Sequence, residues 1–231
     1  MRRPRTIGGA CRCTADSSSA LSLGVGNFAI AERHTLQAAD PHTLGRTRFS
    51  SLDPESRLRL RRELEGMAAL APEIQSVGQA LAILDNLEGA PSKALERIEA
   101  LIPHNPSSAR GHAIRGDALR ELDRLEEAVA SYEKALARSG EPLERSSIQR
   151  SLSIPLARLG RHEEAFLAFE EGVGRFNIEA SVEDLYRLGV LAAAAGRVEQ
   201  AGKLLDFAAW KVPAGDMELE RRIAEARSRL E

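Results

Sequence analysis

Apolar residues recur from about residue 75 onward in a helical pattern that repeats itself. The same alanine position occurs four times, and successive copies lie 34, 37 and 36 residues apart, at Ala94, Ala128, Ala165 and Ala201. Four residues after each alanine stands a large apolar side chain, in order Ile98, Tyr132, Phe169 and Leu205. About one turn further on comes a smaller one, in order Leu101, Ala135, Val173 and Ala208. This spacing puts these residues on one face of a helix. A self-similar period of this length predicts a stack of helical units rather than one closed core.

Residues that end helices divide each unit into two helices. Five residues before the alanine stands Gly89, Gly160 or Gly196, while the second unit has Asp123 there. Glycine suits a helix end because it adopts positive φ without a Cβ clash. Prolines close a second helix in the first and fourth units, at Pro106 and Pro213. No window alternates as a strand does, so we predict helix pairs and no sheet.

These units resemble the tetratricopeptide (TPR) repeat, whose pattern is W-x₂-L-G-x₂-Y…A-x₃-F…P. The segment from Leu159 through Gly160 and Ala165 to Phe169 is the most similar, and Gly116 and Leu188-Gly189 occupy the first-helix positions of other units. The resemblance implies an all-α superhelix of about four helix pairs. The expected repeats are residues 75–108, 109–142, 146–179 and 182–215. The low aromatic content, 4% against 43% hydrophobic residues, agrees with helices packed through alanine and leucine.

Some positions depart from the family pattern. His112 and Arg115 replace bulky apolar residues, so we expect the first helix of the second repeat to pack loosely or to expose one face. Pro155 falls inside the first helix of the third repeat, where it predicts a bend near Ser153 unless the helix starts later. The extra residues of the longer spacings are expected in loops at 140–145 and 179–181.

Amphipathic helices flank the repeats, over residues 51–73 and 216–231. Asp53 and Pro54 are typical of a helix start, and we expect the arginines that follow to form a solvated face. The apolar stripe of each flanking helix is expected to cover one end of the stack, as terminal units require.

Residues 1–50 differ from the rest of the chain. They hold seven arginines against three acidic residues, a balance of +4, which leaves −6 for the remainder of a chain with net charge −2. Most of this segment is expected to be disordered or to lie upstream of the natural start. A transit peptide or an export signal is the alternative, so the expected location is cytoplasmic unless the segment is a targeting signal. Cys11 and Cys13 alone cannot supply four zinc ligands.

The sequence contains no recognisable catalytic pattern. Its five histidines are scattered, and phosphate-binding glycine loops and nucleophile elbows are not found. We therefore expect no catalytic residue, no metal site, no cofactor and no enzymatic activity. No run approaches the ~20 apolar residues of a membrane span. The −6 balance of the helical part argues against nucleic acid as a partner.

A binding surface is the remaining interpretation. In TPR arrays the first helices of the repeats line the concave side, and here those helices carry several arginines, which bind carboxylates well. The resemblance thus implies a non-catalytic scaffold whose groove binds an acidic or extended peptide segment of a partner protein. The candidate contacts are Arg110, Asp117, Arg120, Arg150, Arg158, Tyr186 and Arg187.

Two other interpretations remain open at this point. The arginines are equally compatible with ordinary solvated helix surface. The array is also compatible with an accessory role, recruiting a separate sulfotransferase-like or glycosyltransferase-like enzyme. The residues that hold chaperone tails in some TPR domains are not present, since only Arg187 fits that pattern. The oligomeric state is left open.

Overall fold

The helix boundaries follow from local signals in the chain. The computed structural model describes Phe49 and residues 51–72, 74–174 and 180–230. The expectations for residues 1–48, with both cysteines, lie outside these residues. The described helices are α1 (Pro54–Leu70), α2 (Gln75–Leu87), α3 (Pro91–Leu101), α4 (Ala109–Glu121), α5 (Leu125–Arg138), α6 (Pro142–Arg158), α7 (His162–Gly174), α8 (Val182–Ala194), α9 (Val198–Lys211) and α10 (Met217–Ser228). A 3₁₀ turn, Ile102–His104, follows α3. No strand occurs among the described residues, as predicted.

The turns inside the helix pairs lie where the sequence predicts them. Gly89, Gly160 and Gly196 have φ of 75°, 75° and 76°. Asp123, the equivalent residue of the second pair, adopts the same left-handed conformation at φ 61°. Asp53 caps α1 as expected, since its Oδ1 accepts hydrogen bonds from the N–H groups of Glu55 and Ser56 at 3.0 Å.

Successive helices pack on each other through the recurring alanine. All four copies of that alanine are fully buried. The first helices of neighbouring pairs also contact each other, α2 with α4 and α4 with α6, and α8 contacts α10. The second helices α3, α5, α7 and α9 make no comparable contacts among the described residues. The first helices therefore lie on the inner, concave side of the stack.

Two expectations about the third pair and its neighbour are corrected. Helix α6 begins at Pro142, so the residues expected in a loop at 140–145 mostly extend the helix. Proline is well suited to this first position because its fixed φ is helical and no N–H is lost there. The alternative of a later helix start is therefore wrong. The helix continues past Pro155, which is buried within it, and ends at Arg158. Residues 175–179, which include most of the other expected loop, are not described.

Helix α4 is not loosely packed. His112 is buried, and its Nε2 lies 3.1 Å from the carbonyl oxygen of Pro106. Arg115 donates to Glu99 at 2.9 Å and to the hydroxyl of Ser131 at 2.6 Å. These polar residues fill the positions of bulky apolar ones because the preceding loop and the neighbouring helices α3 and α5 provide hydrogen-bond partners for them.

The flanking helices cover the ends of the stack. Leu64 of α1 is buried in one cluster with Val77 and Leu81 of α2. In α10, Leu219 and Ile223 pack with Leu205. Each flanking helix thus buries its apolar side against the neighbouring helix of the stack.

One arginine of α1 is not part of a solvated face. The guanidinium of Arg61 lies 2.9 Å from the carboxylate of Asp85 and 2.8 Å from that of Glu88. Asp85 is 1% exposed and also binds Arg97 of α3 at 3.1 Å. A single buried carboxylate thus joins α1, α2 and α3.

Candidate functional site

Two of the predicted groove residues are structural. Asp117 and Arg120 lie on α4, but both side chains are buried. Asp117 accepts a hydrogen bond from the hydroxyl of Tyr132 at 2.6 Å, and Arg120 lies 3.6 Å from Asp117 and donates to Glu121 at 2.7 Å. Burial opposes the charged form of Arg120, yet Tyr132, Asp117 and Glu121 outweigh it and raise the pKa of the guanidinium. Because both side chains are almost fully buried and have partners within the protein, we do not include them in the binding surface proposed below.

Arg150 connects the third helix pair to the fourth. Its Nε donates to the carbonyl oxygen of Gly172 at 3.3 Å, and its Nη1 lies 3.4 Å from both carboxylate oxygens of Asp184. A side chain at Gly172 would collide with this arrangement, because a Cβ there would lie 2.9 Å from Cγ of Arg150. Arg110 lies in the first turn of α4 and is partly buried.

Arg158 and Arg187 remain on the surface. Arg158 donates to Asp123 at 2.7 Å, and Arg187 donates to Glu183 at 3.0 Å. Both guanidinium side chains are about half exposed, with 47% and 54% of their surface accessible. Exposed ion pairs of this kind are weak and exchange readily with another carboxylate.

Each of these arginines has an exposed aliphatic neighbour that the sequence analysis missed. Ile154 precedes Arg158 by four residues on α6 and is 40% exposed. Val190 follows Arg187 by three residues on α8 and is 38% exposed. Residues three or four apart lie side by side on a helix, so two successive inner helices each present an aliphatic group beside a guanidinium. The signal in the sequence was an apolar residue on the polar side of each helix.

A cleft of about 400 Å³ lies beside Val190, between α8, α9 and α10. Apolar side chains and the ring of Tyr186 line one part of it, and charged side chains of α10 line the other. The lining residues are Tyr186, Val190, Ala193, Val198, Leu205, Arg222, Glu225, Ala226, Arg229 and Leu230. The predicted groove residue Tyr186 thus lies in a concave feature of the surface.

Electrostatic contacts organise the edge of this cleft. The guanidinium of Arg222 lies 4.5 Å from the ring centre of Tyr186 and donates two hydrogen bonds of 3.2 Å to Glu183. Burial opposes ionisation of Glu183, but Arg222 and Arg187 outweigh it and lower the pKa of this carboxyl. Glu183 therefore holds two guanidinium groups in place as a carboxylate.

The described residues offer little else that points to chemistry. No group of three or more His, Cys, Asp and Glu side chains in this part of the chain could hold a metal ion. No helix among the described residues is long and apolar enough to span a membrane.

The helix pairs and their concave inner surface define an α-solenoid of the kind that binds other proteins. Residues 109–141 match the family model described as tetratricopeptide repeat. The chain thus contains a tetratricopeptide repeat and has the fold of TPR solenoids. This fold is that of protein–protein interaction scaffolds, which are generally non-catalytic.

Solved structures with the same fold support this assignment. A thermophilic TPR protein of Thermus thermophilus is 21% identical, with 80% of this chain and 96% of that chain covered and a TM-score of 0.59. YrrB, described as a TPR protein with an unusual peptide-binding site, is 17% identical, with coverages of 72% and 82% and a TM-score of 0.58. MamA is 17% identical, with coverages of 79% and 96% and a TM-score of 0.56. No curated protein matches the sequence.

Proposed function

We propose that the inner surface of α6 and α8, with the adjoining cleft, binds an extended acidic segment of a partner protein. The observation that carries this proposal is the repeated pairing of an exposed aliphatic side chain with an exposed arginine. Ile154 lies beside Arg158, and Val190 lies beside Arg187. YrrB has a peptide-binding site on the same fold, so the fold is compatible with this function.

The chemistry of this surface suits a segment in which carboxylates and apolar residues alternate. A guanidinium binds a carboxylate through two parallel hydrogen bonds, and Ile154 and Val190 offer apolar contacts beside each such bond. The cleft next to Val190 is large enough for an apolar side chain of the segment. On binding, a carboxylate of the segment displaces Glu183 or Asp123 from its arginine.

The proposal can be tested with fluorescently labelled peptides and the full chain. The first probe is an extended 12-residue peptide of alternating glutamate and leucine, and the second has lysine in place of glutamate. We expect binding of the acidic peptide alone. Arg158→Glu combined with Arg187→Glu should weaken it by about tenfold per arginine, since each charge-assisted hydrogen bond contributes on the order of 1.5 kcal/mol or more.

A control substitution separates a specific surface from a general charge effect. Arg59 is also exposed but lies on α1, which is separated from α6 and α8 by the first two helix pairs. Arg59→Glu should leave the affinity within about twofold. Equal loss in both variants, or equal binding of both peptides, would refute the site.

Glu183 provides a second, opposite test. Glu183→Gln removes the internal carboxylate that competes for Arg187 and Arg222, so we expect tighter binding of the acidic peptide. Unchanged or weaker binding would show that the peptide does not use these arginines.

A further inference from the structure

The outward surface of α9 carries two exposed aromatic side chains. Trp210 is 78% exposed and Phe207 is 47% exposed. Their rings are stacked, with centres 5.7 Å apart and planes 12° apart. Three exposed charged residues share this side of the helix, and we call the five together the α9 outer face: Glu199, Lys203, Asp206, Phe207 and Trp210.

The opposite side of α9 packs against α10. Leu205 and Ala208 are buried in the same cluster as Leu219 and Ile223 of α10, on the side opposite the aromatic pair. Helix α10 reaches only the edge of the outer face, where Arg227 lies 2.6 Å from Asp206. A largely exposed tryptophan that stacks on a second exposed ring is typical of an interaction surface, because large aromatic side chains are enriched at such surfaces.

We propose that the α9 outer face binds the same face of a second copy of this chain, with the two helices antiparallel. Within one chain, Lys203 lies 2.6 Å from Glu199 and Asp206 lies 2.6 Å from Arg227, but such exposed ion pairs are weak, so these side chains can change partners in a dimer. The charges along the face support this arrangement. In one antiparallel register, Lys203 of each copy lies opposite Asp206 of the other copy. Phe207 of each copy then lies next to Lys203 of the other copy. In this register the indole N–H of Trp210 lies opposite the partner's Glu199.

All three contacts are chemically complementary. They are an ion pair, a cation beside an aromatic face and an N–H donor facing a carboxylate. Each contact occurs twice across a two-fold axis, as a symmetric dimer interface requires. A parallel pair would instead place Lys203 against Lys203 and Asp206 against Asp206, which is unfavourable.

The dimer should be weak. A fully buried aromatic side chain accounts for about 150–250 Å², and Phe207 is already half-buried, so four rings give less than roughly 600–1,000 Å². Interfaces below about 1,200 Å² are mostly transient. We expect a monomer–dimer equilibrium with a dissociation constant on the order of 10–100 µM.

Sedimentation velocity of the full chain from about 1 to 300 µM tests this inference. We expect a shift from monomer to dimer over that range, and Trp210→Glu should abolish it. Leu167 of α7, which is 45% exposed on another second helix, provides the control, and Leu167→Glu should leave the dimer intact. A monomer at all concentrations, or a dimer that persists in Trp210→Glu, would overturn the proposal.

A charge swap tests the register. Lys203→Glu and Asp206→Lys should each weaken the dimer, whereas the double variant should restore it. Failure of the double variant to recover would exclude the antiparallel register. Trp210 is the only tryptophan of the chain, so its emission should shift to shorter wavelength as the dimer forms. A short emission wavelength in a monomer would instead show that another part of the same chain covers the face.

Discussion

Replacement of Gly116 by alanine tests the close approach between the two helices of the second repeat. Gly116 lies in the interior of α4, and a Cβ there would lie 2.9 Å from the ring of Tyr132. Tyr132 is completely buried, and its hydroxyl is tied to Asp117 by the 2.6 Å hydrogen bond. The ring therefore cannot move away without stretching that bond.

Two opposing effects determine the size of the change. In an open helix interior, alanine is more stable than glycine by about 0.5–1 kcal/mol, because glycine loses more backbone entropy on folding. Overpacking of a well-ordered core costs about 1–3 kcal/mol. We therefore expect Gly116→Ala to lower the free energy of unfolding by about 0.5–2 kcal/mol.

Gly202 supplies the matched control, because it also lies inside a helix and nothing lies within 4 Å of its ideal Cβ position. Gly202→Ala should raise the free energy of unfolding by about 0.5–1 kcal/mol. Urea unfolding at micromolar concentration, followed by circular dichroism, measures both variants. If Gly116→Ala stabilises the protein as much as Gly202→Ala, the explanation of Gly116 by close packing is wrong.

Three further substitutions test other parts of the fold. Asp123→Gly should raise the free energy of unfolding in urea by up to about 1 kcal/mol, because the left-handed backbone strains a non-glycine residue and its exposed ion pair contributes little; a clear loss of stability would contradict this. Asp85→Asn should lower the melting temperature, with a loss of about 2–4 kcal/mol, since Arg61 loses a buried partner. Limited proteolysis should then cleave α1 first, and unchanged cleavage would refute its anchoring by Asp85. Burial lowers the pKa of His112, so the folded state resists protonation and loses stability as pH falls below about 6.5. His112→Gln should show a smaller loss of stability between about pH 7 and pH 5 in urea titrations, and an identical loss would disprove this assignment.

The helices and turns were predictable because their signals are local. The recurring alanine, a large apolar residue one turn later and a turn residue five positions earlier together define each helix pair. Asp123 is the clearest case. It occupies the position of the three turn glycines in its own repeat and adopts the same left-handed backbone conformation, although an aspartate side chain disfavours that conformation. The caps at Asp53 and Pro54 follow from equally short-range geometry.

The polar residues of α4 were misjudged because their partners lie elsewhere in the chain. His112 interacts with a carbonyl group of the loop before its helix, and Arg115 binds side chains on α3 and α5. Hydropathy treats such residues as unfavourable in a core. Once hydrogen-bonded, a polar group costs far less to bury, so a helix with weak amphipathic patterning can still be deeply packed.

The groove arginines could not be sorted from the sequence for a related reason. Arg158 binds a carboxylate 35 residues earlier, and Arg150 binds one 34 residues later. These separations are close to one repeat, because equivalent positions of neighbouring helix pairs lie side by side. A search for opposite charges one repeat apart would therefore have found these ion pairs, but only the exposure of the side chains, 29% for Arg150 against 47% for Arg158, separates a structural tie from a ligand candidate. Which arginines a partner protein can reach is determined by the adjoining repeat as much as by the helix that carries them.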